Sequence, residues 1–415
     1  MRIVHTSDWH LGHTLKEQDR GPEHAAFLDW LLGRLVEESP DALLIAGDIF
    51  DRSNPQPEAV RAWYRFLLAV HTALPALHVV VIGGNHDSGP RLDAPAELLG
   101  HFGVRIVGSA PRRADRTLDP AGMLVELRGP APAPGALGPL LARVAAVPYL
   151  RPSDLPGGEN PDLWVDAIRD VYASVFGLAP EDGVPLIAMG HSYMVGGQVS
   201  ELSERKIQGG NLHALPADIF PDRIAYAALG HLHLAQDVGR RNSVRYCGSP
   251  IPLALDERAY PHQVCVVDLV PGSPVTVRSL RVPRTVQVPR IPVEGSLSVA
   301  EALMRVAAYP ADQPAWIEVC VKLEPGEANP RAALEEATEG KLARVLVVTV
   351  EGAVSTAGAA DSVEVASLSD VNEEDVFRLK WNRRWPDKPL SERTLALFHE
   401  LVHEVQVARD NKEPR

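Results

Sequence analysis

The sequence predicts an α/β fold in which two sheets form a sandwich flanked by helices, followed by a small α+β domain and a C-terminal helical pair. Three observations favour this fold. Short β-branched runs closed by glycine, such as residues 78–82, alternate with amphipathic stretches such as 22–38. The 415 residues are too many for one core. Prolines in 281–292 and small polar residues in 352–366 mark two linkers, which predicts domains at 1–280, 285–352 and 367–410.

Composition describes an ordinary soluble globular protein. Hydrophobic residues make up 45% of the chain, charged residues 23%, and the formal net charge is −13, which argues mildly against bulk nucleic-acid binding. The three cysteines are not spaced as pairs, which suits a reducing compartment. No apolar run has the length of a membrane span, and the N-terminus leads directly into a strand. We therefore expect a cytoplasmic protein with no membrane contact.

The elements follow one another in a regular order. Alternating hydrophobicity and glycine or proline boundaries predict the strands, and 3.6-residue periodicity predicts the helices. Strands around 244–247 and 264–269 are expected to complete the second sheet. The predicted strands of the first domain are 2–6, 42–46, 78–82, 123–127, 144–147, 185–189 and 224–229, with helices at 22–38, 58–74 and 163–176. The second domain is predicted to contain helices at 298–308 and 331–337 and strands at 316–323 and 343–350. Asn372 and Ser391 are expected to cap the two terminal helices.

Polar side chains follow five of the predicted strands at the points where the strands end. Carboxyl ends of parallel strands meet at one edge of a sheet, so these side chains are expected to lie together. Two carboxylates, one amide and four imidazoles suit manganese, iron or zinc better than calcium. This number of ligands fits two ions that share a bridging carboxylate, for which Asp48 is the natural choice. The candidate ligands are Asp8, His10, Asp48, Asn85, His191, His231 and His233.

The motifs around these residues resemble those of the calcineurin-like metallophosphoesterases, and within them the SbcD family of nuclease subunits. The resemblance is strong over the first ~280 residues and looser in the tail, at 374–377 and 390–391. The segments that carry it are 6–12 (TSDWHLG), 47–52 (GDIFDR), 84–88 (GNHDS), 190–191 (GH), 230–233 (GHLH) and 246–253 (YCGSPIPL).

This resemblance implies a metallophosphoesterase sandwich with a capping domain at 285–352 that contacts the DNA. It also implies that the protein is a manganese-dependent exonuclease and endonuclease. The implied substrates are double-stranded DNA ends and hairpins, and the implied role is in DNA repair and recombination. It implies that His86 stabilises or protonates the transition state. A histidine stands at the position of Asp51 in archaeal and eukaryotic relatives, so Asp51 receives no catalytic role. The implied partner is an SbcC-type coiled-coil ATPase bound by the tail, with a homodimer and a nucleoid-associated location. One ion takes Asp8, His10, Asp48 and His233, and the other Asp48, Asn85, His191 and His231.

Three other interpretations remain open. A phosphoesterase for a small nucleotide or phosphomonoester would share the metal centre but leave the second domain and tail without a role. A non-catalytic scaffold would be expected to have lost ligands, and none of the seven is missing. The stretch 399–403 (HELVH) fits the H-E-x-x-H pattern of zinc proteases, yet no third histidine follows it. Its apolar positions favour a helix that docks on a partner.

Overall fold

The computed structural model describes residues 1–398 except 134–135, 159, 199–213, 240, 271, 325–326, 352–372, 386–387, 389, 392–393 and 396. The predicted linker 352–366, the Asn372 cap and the H-E-x-x-H stretch 399–403 lie outside the described residues. Among the described helices, none is both long enough and apolar enough to cross a membrane. Two units emerge from the contacts: one covers 1–352 apart from 206–212, and the other contains the C-terminal residues from 353 onward.

The strands and helices match the predicted order closely. The strands are β1 (Arg2–Thr6), β2 (Thr14–Leu15), β3 (Gln18–Asp19), β4 (Ala42–Ala46), β5 (His78–Ile82), β6 (Val104–Val107), β7 (Leu124–Arg128), β8 (Leu140–Ala146), β9 (Leu186–His191), β10 (Ile224–Gly230), β11 (Gln236–Val238), β12 (Arg241–Tyr246), β13 (Gln263–Asp268), β14 (Thr276–Arg281), β15 (Arg290–Ile291), β16 (Leu297–Ser298), β17 (Ala315–Lys322) and β18 (Ala343–Glu351). The helices are α1 (Gly21–Glu38), α2 (Pro57–Ala73), α3 (Gly89–Asp93), α4 (Ala96–Gly100), α5 (Trp164–Gly177), α6 (Val299–Ala307), α7 (Arg331–Glu336) and α8 (Glu373–Arg384).

The first sheet has the strand order β14-β13-β1-β4-β5-β6. Its strands β1, β4, β5 and β6 are parallel, and β13 pairs with β1 in antiparallel register, with His5 opposite Cys265. The prediction that the strand near 264–269 belongs to the second sheet is therefore wrong. Its antiparallel partner β1 lies at the other end of the domain's sequence, although the two strands are adjacent in the sheet. The alternation of apolar and polar residues within a strand does not specify which strand it pairs with. Strand β4, which leads to Asp48, is central in this sheet.

The second sheet has the order β11-β12-β10-β9-β8-β7, with β8, β9, β10 and β12 parallel. Strands β7 and β8, at the predicted strand positions 123–127 and 144–147, pair in antiparallel register. Strand β4 contacts both β9 and β10, so the two sheets face each other across one continuous core. This confirms the α/β two-sheet fold, and it brings the ends of β1, β4 and β5 against the ends of β9 and β10.

Helix packing fixes the first of the loops that follow these strands. Trp9 is fully buried and makes edge-on ring contacts with Phe27 of α1 and with Trp63 and Phe66 of α2. Its indole N–H also donates to the Thr6 hydroxyl at 2.9 Å. Such aromatic pairs contribute about 0.5–1.5 kcal/mol each beyond their buried area. Trp9 therefore anchors in the core the loop that also carries Asp8 and His10.

Residues 285–352, which we call the capping region, form a parallel sheet of β15, β16, β17 and β18 with α6 and α7. The predicted linker 281–292 needs correction, because Arg290–Ile291 is a strand of this sheet and pairs with Glu318 and Val319. A small apolar cluster of Leu15, Leu255, Val288 and Leu346 joins the capping region to the first domain. An ion pair between Arg258 and Glu318 crosses the same contact.

The described part of the tail begins with α8. Within it, Arg378 pairs with Glu374 one turn earlier, and the Phe377 ring stacks on Phe398 with centroids 4.1 Å apart. The Ser391 hydroxyl accepts a hydrogen bond from the Thr394 N–H at 3.2 Å, which is the contact expected of the predicted cap.

Candidate metal centre

Four of the eight described non-glycine residues with positive φ angles lie in the loops that follow the ends of β1, β4 and β10. Asp8, His10, Asp48 and His231 have φ angles of 54°, 46°, 50° and 104°. Non-glycine residues in this region cost about 1–3 kcal/mol each and persist only where the surrounding structure enforces them. All four are candidate ligands, and all four are buried. The strain turns their side chains toward one point between the two sheets.

Asp48 lies at the centre of this cluster. Its Oδ2 is 3.4 Å from His10 Nε2 and 3.3 Å from His191 Nε2, so it lies between imidazoles of both sheets. Its Oδ1 accepts the His86 backbone N–H at 2.9 Å. A Cβ at Gly84 would lie 2.1 Å from Asp48 Oδ1, so only glycine fits there. The two loops can approach this closely because position 84 carries no side chain.

Asp8 joins the first sheet to the loop after β10. Its Oδ1 accepts the His231 backbone N–H at 2.9 Å, and its Oδ2 accepts the Ser7 hydroxyl at 2.6 Å. Candidate ligand atoms of Asp8, His10 and His233 lie within 4.8 Å of one another, and so do those of Asp8, Asp48 and His191. These two groups share Asp8 and lie side by side.

Asn85 completes the cluster on the side of the second sheet. Its Oδ1 lies 3.0 Å from both His191 Nε2 and His231 Nδ1. Burial, with a further contribution from the charge of His191, lowers the pKa of His231 to about 3, so this imidazole is neutral. Two imidazole nitrogens and an amide oxygen thus converge within hydrogen-bond distance. A neutral imidazole and an amide oxygen are both ligands that borderline divalent ions accept.

His86 borders the same cluster. Its ring centroid is 4.7 Å from that of His10, and its Nδ1 lies 2.8 Å from the Asp51 carbonyl oxygen. A ligand atom of His86 also lies within 4.8 Å of those of His10 and Asp48. His86 is therefore within reach of anything bound between these side chains.

Three further residues orient the cluster, and the sequence motifs did not indicate their role. Asp51 Oδ1 lies 3.4 Å from His10 Nδ1, and Glu257 Oε1 lies 2.7 Å from His233 Nδ1. Asp87 accepts the backbone N–H groups of three loop residues, 49, 50 and 84, at 2.9–3.2 Å. Asp51 and Asp87 lie within the motifs and could have been suspected. Glu257 carries no such signal, because it lies 24 residues beyond His233.

Electrostatics show how the cluster compensates its buried charge. Burial raises the pKa of the Asp8 carboxyl. Burial also opposes ionisation of Asp48, but the charges of His191 and His86 and the hydrogen bonds of His10 and His191 hold its pKa well below the usual range. In return, Asp48 raises the pKa of His191 to about 9 against the effect of burial. Protons on imidazoles thus balance the carboxylates here, and a divalent cation would replace those protons.

The side chains fit divalent metal ions. Two carboxylates, an amide and four imidazoles point to one region, and His10 Nε2 is buried without a hydrogen-bond partner of good geometry. His10, His191 and His233 each have Nδ1 next to a carboxylate or carbonyl oxygen, which fixes the tautomer and leaves Nε2 toward the centre. Such outer-shell contacts accompany nearly every metal-binding histidine.

A second buried group of potential ligands lies in the core, at His5, Cys247 and Cys265. The Cys247 thiol donates to the His5 carbonyl oxygen at 3.1 Å, and His5 Nδ1 contacts the Tyr226 hydroxyl at 2.9 Å. The cysteines at 247, 265 and 320 are all free and buried, as expected for a chain without a disulfide framework.

Two family profiles match the chain, one over its N-terminal part and one over its C-terminal part. The profile of the calcineurin-like phosphoesterases matches residues 1–235, which carry all seven candidate ligands. A profile described as the type 5 capsule protein repressor C-terminal domain matches residues 268–384, from the end of β13 through β14 and the capping region to the end of α8.

Curated relatives cover between two thirds and almost all of the chain. The D subunit of nuclease SbcCD from Rhodobacter capsulatus is 38% identical over 365 residues, 84% of this chain and 87% of the relative. The Escherichia coli K12 protein of the same name is 32% identical over 422 aligned positions, 97% of this chain and 98% of the relative. The Bacillus subtilis protein is 36% identical over 278 residues, 66% of this chain and 68% of the relative. The chain therefore belongs to the calcineurin-like phosphoesterase family and, within it, to the SbcD nuclease subunits.

Proposed function

We propose that this chain hydrolyses phosphodiester bonds at double-stranded DNA ends and hairpins, with two manganese ions, as the nuclease subunit of a complex with an SbcC-type ATPase. Its family membership makes it a metal-dependent phosphodiesterase of the nuclease type. The observation that carries the proposal is the convergence of six donor side chains from both sheets with a seventh, that of Asp48, at the ends of the strands. Imidazole and carboxylate donors together suit manganese, iron or zinc, whereas magnesium and calcium prefer oxygen ligands. The choice of manganese among the three follows from the resemblance to the SbcD family.

The proposed ligands divide into two sets that share Asp48. Asp8, His10 and His233 complete the first set, and Asn85, His191 and His231 complete the second. In support, Asp48 Oδ2 lies within 3.4 Å of an imidazole nitrogen from each set. Two divalent ions held by these sets would supply an acidified water and would neutralise charge on the attacking and leaving oxygens of the phosphoryl group.

The protein side chains position the reaction. Asp8 accepts the His231 backbone N–H and Asp48 accepts the His86 backbone N–H, so the two carboxylates hold the loops that follow β10 and β5. Asp51 and Glu257 orient the imidazoles of His10 and His233. His86 is the proposed catalytic residue, because its ring borders the cluster while its Nδ1 is held by the Asp51 carbonyl oxygen. From that place it would stabilise or protonate the oxygen that leaves the phosphorus.

The partner is proposed from the relatives and the tail. The relatives are named as the D component of nuclease SbcCD, which implies an SbcC-type coiled-coil ATPase as the other component. We place the docking site in residues 367–410, with α8 as its described part, and the capping region at 285–352 on the DNA side. A homodimer of this chain and a nucleoid-associated location in the cytoplasm belong to the same proposal.

A nuclease assay tests the function. The full chain, freed of metal and then loaded with manganese, magnesium or calcium, is incubated with linear duplex DNA, hairpin DNA, a nucleoside monophosphate and a generic phosphodiester. We expect manganese-dependent cleavage of both DNA substrates. Hydrolysis of the monophosphate without cleavage of DNA would instead support a small-molecule phosphoesterase.

Truncation tests the docking site. Cutting the chain after Ala366 should leave a protein with manganese-dependent activity that no longer co-purifies with the ATPase, because residues 1–352 form a unit of their own apart from 206–212. If the truncated chain binds the ATPase with unchanged affinity, the docking site lies elsewhere.

A further inference from the structure

A segment outside the metal-ligand motifs also reaches the metal centre. Strand β8 ends at Ala146 and continues through residues 147–151 along the loop that carries Asn85 and His86. The Tyr149 backbone N–H donates to the Gly83 carbonyl oxygen at 2.8 Å, which ties the two segments together. The Tyr149 ring lies nearly perpendicular to the His191 ring, with centroids 6.3 Å apart. This segment is therefore next to the candidate ligands without supplying one.

Arg151 is fixed at the outer end of this segment. Its guanidinium carbon lies 5.7 Å from the centre of the Tyr149 ring, in the range of a cation–π contact. Its Nη2 donates to the Asp87 carbonyl oxygen at 3.0 Å. A guanidinium group carries five N–H donors in a planar fork, so most of them remain for another acceptor. The Arg151 guanidinium is thus a positioned cation, and the Tyr149 ring lies between it and the candidate ligand His191.

A pocket opens beside this guanidinium, with a volume of about 720 Å³. Apolar residues such as Pro90, Ile106 and Pro111 form part of its wall, and the hydroxyl and guanidinium groups in the lining come from Ser53, Ser88, Ser109, Arg112 and Arg151. Its carboxylates are already engaged by the protein. Asp93 accepts the backbone N–H groups of 108 and 109, and Asp154 accepts the Arg151 N–H and a guanidinium N–H of Arg112. The Arg112 guanidinium is engaged in the same way, with the carbonyl oxygens of 116 and 153 and with Asp154. The donors that the pocket offers to a ligand are therefore the Arg151 guanidinium and the serine hydroxyls.

We propose that Arg151 and this pocket form a subsite for the DNA strand, in which Arg151 binds the phosphate next to the scissile one and the pocket receives the adjoining nucleotide. The proposal rests on the proposed function. A chain with a net charge of −13 needs a local cation where a polyanion must approach. Arginine suits this task because its fork matches two phosphate oxygens, and the Tyr149 ring reduces the freedom that binding would otherwise cost.

Arg151 also has a structural contact, and the test must separate the two roles. Its bond to the Asp87 carbonyl oxygen supports the loop of Asn85 and His86. Loss of that support would weaken metal binding and would slow hydrolysis of every substrate. Loss of a strand subsite would affect DNA alone, because a small phosphodiester has no neighbouring phosphate.

The experiment compares Arg151→Ala and Arg151→Lys in the manganese-loaded full chain, with Arg61→Ala on the exposed face of α2 as the control. We expect Arg151→Ala to raise the KM for linear duplex DNA about 10–100-fold, the usual worth of a hydrogen-bonded charged pair. Arg151→Lys should recover part of this loss. Hydrolysis of bis(p-nitrophenyl) phosphate should change less than about threefold, and manganese binding should be unaltered.

Binding of a fluorescein-labelled duplex in EDTA gives a readout without cleavage. Arg151→Ala should weaken this binding and lower the slope of log affinity against log salt by about one, as expected for one lost phosphate contact. Equal losses on DNA and on the small diester, or weaker manganese binding, would overturn the subsite and leave a structural role. Failure of the unsubstituted chain to cut DNA while it cuts the small diester would overturn the proposed function, and the subsite with it.

Discussion

The two proposed ligand sets of the metal centre differ in the groups that contact their imidazoles from the outside. In the half with Asp8, the imidazoles of His10 and His233 each have a carboxylate behind them, Asp51 at 3.4 Å and Glu257 at 2.7 Å. In the other half, His191 Nδ1 faces only the Ala46 carbonyl oxygen at 2.8 Å. There, the remaining imidazole and the neutral amide contact each other directly.

This difference predicts two metal sites of unequal affinity. A carboxylate behind an imidazole fixes its tautomer and makes its ligand nitrogen more basic. The carboxylate of Asp8 also brings a formal charge to its half, whereas Asn85 brings none. We therefore expect the half of Asp8, His10 and His233 to bind the first ion more tightly. The second ion would be held mainly through the shared Asp48.

The largest expected effect comes from the shared ligand. Asp48→Ala should abolish metal occupancy of both halves, because each loses a ligand and the charge that compensates two neighbouring ions. Metal analysis of the purified protein and manganese titration measure this. Asp268→Ala, which removes a carboxylate at the end of β13, beside Arg2 at the start of β1 and so at the opposite end of β1 from Asp8, is the matched control. Two fully occupied ions in Asp48→Ala would show that Asp48 is not the bridge.

His86→Ala should separate binding from chemistry. The variant should retain both metals and bind DNA, since His86 is not one of the proposed ligands. Its cleavage rate should fall by about 10²–10⁴-fold, the usual contribution of a positioned proton-transfer group. Single-turnover cleavage and metal analysis on the same preparation measure both. Normal cleavage, or loss of either ion, would contradict this role.

Glu257→Gln tests the support of one half alone. Loss of an outer-shell carboxylate costs about 10–100-fold in metal affinity. We expect that loss at the site of His233, with the other site unchanged, and a weaker effect of the same kind from Asp51→Asn, whose contact is longer. If Glu257→Gln weakens both sites equally, the carboxylates that contact the imidazoles do not cause a difference in metal affinity between the two halves.

The smallest expected effect lies at the capping region. Arg258 follows Glu257 and pairs with Glu318 of β17. Arg258→Ala should lower the stability of the chain by about 0.2–1 kcal/mol, as for other partly exposed ion pairs, and should leave both metal affinities within twofold. Urea unfolding and manganese titration measure the two quantities. A loss of metal affinity as large as that of Glu257→Gln would mean that the capping region controls the position of His233.

Sequence patterns predicted the elements and the ligand candidates for a physical reason. Buried parallel strands read as continuous β-branched runs, and their carboxyl ends collect the functional side chains. The residues after β1, β4, β5, β9 and β10 could therefore be placed together from the sequence alone. Strand β4, which precedes Asp48, has a neighbouring strand on each side.

Long-range partners could not be predicted in the same way. Strand β13 pairs with β1 across more than 250 residues, and its alternation fits either sheet. Glu257 reaches His233 because a short 3-10 helix, Leu255–Ala259, turns it inward, and its sequence neighbourhood carries no motif. Arg151 was missed because its contacts are to a ring and a carbonyl oxygen of other segments. Each of these depends on tertiary packing rather than on local pattern.

Manganese titration of the metal-free full chain, followed by calorimetry and by electron paramagnetic resonance, tests the central claim most directly. The account predicts two ions per chain that bind in two resolved steps, with spin coupling between the ions when both are present, because they share Asp48. It also predicts that Glu257→Gln shifts only the tighter step. A single ion per chain, or two uncoupled ions of equal affinity, would contradict the account.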